Sequence, residues 1–181
     1  MVQIWWIGAA SADRLALEEV RAQLERAFSG PVVVRPNPGR PEGTLDLRRG
    51  QHASARILYW LVQRRPPAAA KVLAVTDADL FMPVLTFVYG EAQLGGVAAV
   101  VSTARLAEDA GAAGGRLRAR LAKECIHELG HTFGLLHCGS AGCAMSRSAN
   151  LFDVDAKEAG LCADCRGYLR EQRRPGDGSE V

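Results

Sequence analysis

His127 to Cys138 reads HELGHTFGLLHC and holds three of the four histidines in a chain of 181 residues. On a helix, His127 and His131 are four residues apart, so both imidazoles leave the same face one turn apart. Two ring nitrogens so placed can meet one zinc ion. Glu128 stands about 100° round the helix from His127, within reach of a water at the metal without occupying a metal position. Gly134 falls where the helix has to stop, and glycine tolerates the left-handed conformation that turns the chain back. The turn brings His137 round as a third ligand. Three protein ligands leave the fourth tetrahedral position open for water, which separates catalytic from structural zinc. A bare HExxH also arises by chance on charged helices; Gly134 and His137 at the right offsets give this one its weight.

Extended in this way, HExxHxxGxxH resembles the metzincin metallopeptidases, which also carry a downstream methionine turn; Met145 lies eight residues after His137. A lone methionine is ordinary core filler, so Met145 counts through its company. The helix begins near Arg116. Ala122, Cys125, Ile126, Leu129 and Phe133 fall on one apolar side of it, and Glu124, His127, Glu128 and His131 on another. Cys125 points about 200° away from His127 and reads as a buried core thiol, not a ligand. The other four cysteines form a second constellation: Cys138 and Cys143 are spaced C-x4-C, and Cys162 and Cys165 C-x2-C. Two such pairs fit one tetrahedral zinc with four thiolates. Disulfides are the alternative, and they need an oxidising compartment for which the chain shows no clear export signal. A four-sulfur site is closed to chemistry. Its role would be to anchor the chain just past His137 and to tie the Met145 turn to the C-terminal segment.

Outward from this centre, strands and helices alternate. VQIWWIGAA (2–10) reads as a buried first strand and not a signal peptide, because it lacks a basic leader and its short apolar run contains a glutamine. Ala12 to Phe28 has a helical period with Leu17, Val20, Leu24, Ala27 and Phe28 on one face, Ser11 as the cap and Gly30-Pro31 as the stop. PVVVRP (31–36) is a short strand, and Asn37 to Gly50 is a surface loop rich in proline, glycine and arginine. Ala53 to Gln63 is a helix with Ile57, Leu58, Leu61 and Val62 inward and Pro66-Pro67 as its stop; KVLAVTD (71–77) and VAAVVST (97–103) are buried strands. This order predicts an α/β fold with a largely parallel sheet covered on both faces. LTFVYGEA (85–92), between Pro83 and Gly95-Gly96, reads as a strand near a sheet edge. Above a zinc site such an edge can pair its main chain with an extended peptide; it can equally be an edge that carries no substrate. His52, in RRGQHAS, reads as a solvated or capping residue. The C-terminal CRGYLREQRR, with Arg166, Arg170, Arg173 and Arg174, reads as a solvated helical face, and Pro175 to Val181 as a frayed tail.

The length is that of one domain, 1–181, able to bury a core without disulfides. Charge is nearly balanced, 22 basic residues against 20 acidic, which excludes a broad nucleic-acid field; no aromatic stacking array accompanies the C-terminal arginines. No apolar run approaches a membrane span. A cytoplasmic monomer is expected, with neither nucleic acid nor membrane as a partner.

HELGHTFGLLHC, then Cys143-Ala144-Met145, then LCADC, resembles the archaemetzincin pattern HExxHxxGxxHC-x4-C-x-M followed by a distant C-x2-C. RRGQHASA, VTDADLF, FVYGEA and VVSTARL are also similar to that family, so the likeness spans most of the chain. Sixteen residues separate Met145 from Cys162, one fewer than in the family pattern. The resemblance implies a compact metzincin-like α/β (α+β) domain: a twisted mixed sheet, an active-site helix, a Met-turn and a small zinc-stapled C-terminal subdomain. The N-terminal part with the active-site helix would span 1–134 and the C-terminal part 135–174. It also implies two zinc ions, one catalytic on His127, His131 and His137 with Glu128 as general base, and one structural on Cys138, Cys143, Cys162 and Cys165. The substrate implied is a peptide or protein bound in extended form. No side chain stands out as a further donor to the oxyanion, Tyr89 on the edge strand being the candidate, and with the chain starting at its first strand no propeptide is expected. A non-catalytic zinc-stabilised interaction module, a nucleic-acid contact at the cysteine knuckle and a zinc hydrolase of a non-peptide substrate stay open. The first of these does not account for Glu128.

Overall fold

Short runs of valine, isoleucine, leucine and alanine too apolar to face water supply the central strands, and amphipathic helices cover them. In a computed structural model that describes residues 1–11, 13–35, 39–111 and 114–172, the order is β1 (Val2–Trp6), α1 (Arg14–Phe28), β2 (Val32–Arg35), β3 (Leu45–Asp46), β4 (Gln51–Ala53), α2 (Ser54–Arg64), β5 (Lys71–Thr76), β6 (Leu80–Phe81), β7 (Gly90–Ala92), β8 (Ala98–Ser102), α3 (Gly115–Thr132), α4 (Leu151–Ala156) and α5 (Ala163–Gln172). Arg173, Arg174 and the predicted tail from Pro175 lie outside the described residues, as do Pro36 at the end of the second predicted strand and Asn37 at the start of the predicted loop.

The main sheet has the order β2-β1-β5-β8-β7. Its first four strands are parallel and β7 runs antiparallel to β8 at the edge, so the sheet is mixed. Side chains alternate between two layers. Ile4, Leu73, Val75, Ala99 and Val101 pack towards α1 and α3, whereas Trp5, Val72, Ala74, Ala98 and Val100 pack towards α2. Leu135, Met145, Val154 and Leu169, from beyond α3, join the first of these clusters. No helix among the described residues is long and apolar enough to cross a membrane.

Three local expectations are corrected. Asp13, not Ser11, caps α1: its side chain accepts from Ala16 N at 3.1 Å, and the helix closes on Ser29 in the left-handed region (φ 45°), one residue ahead of Gly30. The predicted loop ending at Gly50 contains β3, which pairs antiparallel with β4 and, through it, with β6 to form a second small sheet. His52 therefore lies in a strand, half-buried, with Nδ1 2.7 Å from Thr44 Oγ1, and Ala53 holds the N-cap position of α2. The short paired segments were hidden by the proline, glycine and arginine around them. The predicted edge strand is regular only over β7, with one isolated bridge, Leu80 to Val88, before it.

Candidate metal centre and cleft

Helix α3 carries the HELGH segment along the sheet, and both of its sides are covered. Cys125, Ile126 and Leu129 are fully buried on the apolar side, and Glu124, His127 and Glu128 are only 3–6% exposed on the other. The helix ends where expected. Gly134 has φ +87°, and a paired cap closes the turn: Gly134 N donates to His131 O (2.9 Å) and Leu135 N to Gly130 O (3.1 Å). This reversal sends Leu135 back beneath the helix and His137 round to its face.

Two carbonyls orient the first two histidines. His127 Nδ1 lies 2.8 Å from Ala144 O, and His131 Nδ1 2.7 Å from Leu135 O. A carbonyl only accepts, so each Nδ1 carries the proton and each Nε2 presents a lone pair. Those two Nε2 atoms are 3.1 Å apart. Two lone pairs at that separation repel unless a cation lies between them, and tetrahedral zinc with ordinary Zn–N bonds puts them about 3.3 Å apart. The His137 ring completes the triangle, with centroids 5.2 and 5.0 Å from those of His127 and His131. Burial, aided by Lys157, lowers the pKa of His127 to about 3; burial lowers His131 and His137 as well. All three therefore stand neutral, the form that binds metal. These donors fit zinc.

The four cysteines also converge. Cys138 and Cys162 Sγ are 3.7 Å apart, as are Cys143 and Cys165 Sγ, far beyond a disulfide bond. Four thiolates around one zinc stand about 3.8 Å apart, so this set fits the ion too. All ligand atoms of each group lie within 4.8 Å of one another. Cys125 stands apart, fully buried, its thiol pushed well up by burial. The two groups are joined through backbone: Cys138 N donates to Met145 O, and Ala144, whose carbonyl orients His127, donates its own N–H to Gly160 O. Met145 is fully buried with its sulfur against Gly130 of α3. A Cβ on Gly130 would stand 2.4 Å from its sulfur, so any larger residue there would have to displace Met145.

A cleft of about 540 Å³ runs past the histidines, with Leu85, Phe87, Tyr89 and β7 on one rim and Arg147, Ser148 and Ala149 on the other. Gly90 lies so close to α3 that a Cβ there would come within 2.6 Å of Glu128 Cγ. Glu128 is thus enclosed, and its carboxyl is pushed well up by burial, with Glu124 and Glu91 adding to the rise and Lys157 opposing it. The ladder to β8 is closed by Tyr89 O accepting from Ser102 N and by Gln93 N donating to Ala98 O. With Gly90 opposite Val101 and Ala92 opposite Ala99, the amides and carbonyls of Gly90 and Ala92 point away from β8. At Val88 that outer side is already taken by Leu80 O.

Of the residues singled out from sequence, the three histidines, Glu128 and Tyr89 meet at this cleft and the four cysteines meet beside it, while His52 stays away. Arg147, whose Nε lies 3.3 Å from His137 Nδ1, and Lys157, paired with Glu124 at 2.8 Å, were not anticipated. A lone basic residue in a polar loop reads as solvated, and no periodicity marks it otherwise.

Fold and donor sets together define a zinc metallopeptidase. Residues 67–171 match peptidase family M54. The archaemetzincin of Methanopyrus kandleri is 37% identical over 150 residues, covering 82% of this chain and 83% of that protein. The crystal structure of archaemetzincin from the same organism superposes with a TM-score of 0.86 at 31% identity, covering 97% of this chain and 96% of that one. The Archaeoglobus fulgidus archaemetzincin, crystallised with malonate, gives 0.78 at 32% identity over 92% and 98%. The chain belongs to peptidase family M54, the archaemetzincins.

Gly130→Ala should cost about 1–3 kcal/mol, the usual toll of overpacking, by pushing the buried Met145 side chain off the helix. Chemical denaturation with zinc present checks this, and wild-type stability would contradict the packing described.

Proposed function

We propose that the chain hydrolyses peptide bonds in an extended substrate, with His127, His131 and His137 holding a catalytic zinc, Glu128 as general base, and Cys138, Cys143, Cys162 and Cys165 holding a second, structural zinc. The observation that carries this reading is the facing pair of unprotonated nitrogens on His127 and His131 beside the enclosed carboxyl of Glu128. When bound, zinc supplies Lewis acidity, polarising the scissile carbonyl and making a water acidic near neutral pH. Glu128 takes that water's proton as it attacks and passes it to the leaving amine. Burial raises the proton affinity of the Glu128 carboxylate, which suits it to taking the water's proton. The outward amides and carbonyls of Gly90 and Ala92 pair with the substrate main chain, holding it straight across the histidines. The division into 1–134 and 135–174 follows the cleft, with β7 on one rim and the segment after Met145 on the other.

Glu128→Gln keeps shape and removes the base. Hydrolysis of a peptide mixture should fall by about 10²–10⁴-fold while zinc content by elemental analysis stays unchanged; undiminished turnover would refute the assignment. Ala92→Pro deletes one outward N–H that makes no bond to β8. It should lower kcat/KM roughly three- to tenfold, the worth of one hydrogen bond, without lowering Tm. Unchanged kinetics would exclude main-chain pairing at this edge.

A further inference from the structure

The reaction just described leaves two polar groups at the cleft without work. Glu124 lies one turn before Glu128 on the same side of α3 and is 3% exposed. Its Oε1 takes Lys157 Nζ at 2.8 Å and Ser148 Oγ at 3.4 Å, while its second oxygen accepts no hydrogen bond from the described residues. Tyr89, 7% exposed, lines the same cleft, and its hydroxyl likewise makes no hydrogen bond among the described residues. Burial and the Glu124 charge push that phenol up to about 12, so it remains a donor. Polar groups with unused capacity on largely buried side chains that line a cleft are what a ligand's polar atom can complete.

The walls are aromatic and fixed. The Phe87 ring meets Tyr89 edge-on with centroids 5.3 Å apart, and the Arg105 guanidinium lies over Phe87 at 4.2 Å. Arg105 is itself locked by two 2.8 Å bonds to Asp79, so this wall is held from behind. Leu85 and Ala149 complete the apolar lining.

We propose that this end of the cleft is a side-chain subsite for a tyrosine next to the scissile bond, its phenol donating to Glu124 and accepting from Tyr89 while its ring lies against Phe87. The proposal rests on the peptidase reading above. Charge argues against lysine or arginine as the guest. Glu124 is already paired with Lys157, and although Glu91 and Glu128 also line the cleft, Arg147 and the proposed zinc add positive charge there, so a second cation at Glu124 would have to share a carboxylate that already has its partner. Phenylalanine fits the walls but strips water from the Glu124 oxygen and the Tyr89 hydroxyl and replaces it with nothing. A site built to bond a hydroxyl discriminates strongly against the analogue that lacks one.

The test is calorimetric binding of alanine-based hexapeptides, each carrying a single Tyr, Phe or Lys at one position, to zinc-loaded Glu128→Gln protein. At one position Tyr should bind at least tenfold more tightly than Phe or Lys, and adding Tyr89→Phe should bring the Tyr-to-Phe ratio to within about threefold. Equal binding of Tyr and Phe at every position, tightest binding of Lys, or no binding of any peptide would overturn the proposal. Turnover of the same peptides by the parent separates the two readings. Cleavage with no preference for Tyr overturns the subsite alone; a Tyr preference in binding with no cleavage overturns the peptidase reading alone.

Discussion

Two imidazole nitrogens held 3.1 Å apart with their lone pairs facing form the constraint on which the rest of this structure turns. Neutral rings do not choose that arrangement, so the surrounding chain has to impose it. The i, i+4 spacing brings the rings to one face, and two carbonyls then fix their tautomers. One carbonyl, from Leu135, is delivered by the reversal at Gly134. The other, from Ala144, is delivered by the turn that ends in Met145. That turn is tied in its own right to Cys138 and Gly160, within the stretch where the four cysteines converge. A metal on those cysteines would therefore help set the position of His127 through two backbone hydrogen bonds. The nearness of Cys138 to His137 in sequence has the same consequence.

The same constraint explains the unusual burial of charge on α3. A helix lying flat on a sheet ordinarily keeps one polar stripe in water. Here β7 and the segment after Met145 cover that stripe, so Glu124 and Glu128 are enclosed and their repulsion is countered by Lys157, whose side chain is fully buried. Such a pair is a poor source of stability, since desolvation offsets most of its attraction. Its place beside the histidines is better understood through the cleft. It keeps a carboxylate in an apolar wall and ties that wall to the helix through Ser146 O and Ser148.

Much of this was legible in the sequence because period and spacing are local properties. The parallel strands announced themselves as short, mostly apolar runs, α1 and α2 as apolar helix faces, and the converging histidines and cysteines as HExxHxxGxxH and two cysteine pairs. The small sheet of β3, β4 and β6 was not legible, because strands of two or three residues carry no period and are held by partners distant in the chain. Lys157, Arg147 and the close approach of Gly90 to Glu128 were invisible for the same cause. Each depends on which surfaces meet across the cleft, and no single segment encodes that.

The most direct test of the account is a crystal structure of the zinc-loaded protein with anomalous data collected at the zinc edge. Two peaks are predicted. One should lie among the Nε2 atoms of His127 and His131 and the His137 ring with its fourth position open to solvent, and the other among the sulfurs of Cys138, Cys143, Cys162 and Cys165. A single peak at the cysteines, or a histidine site closed by a fourth protein ligand, would contradict it.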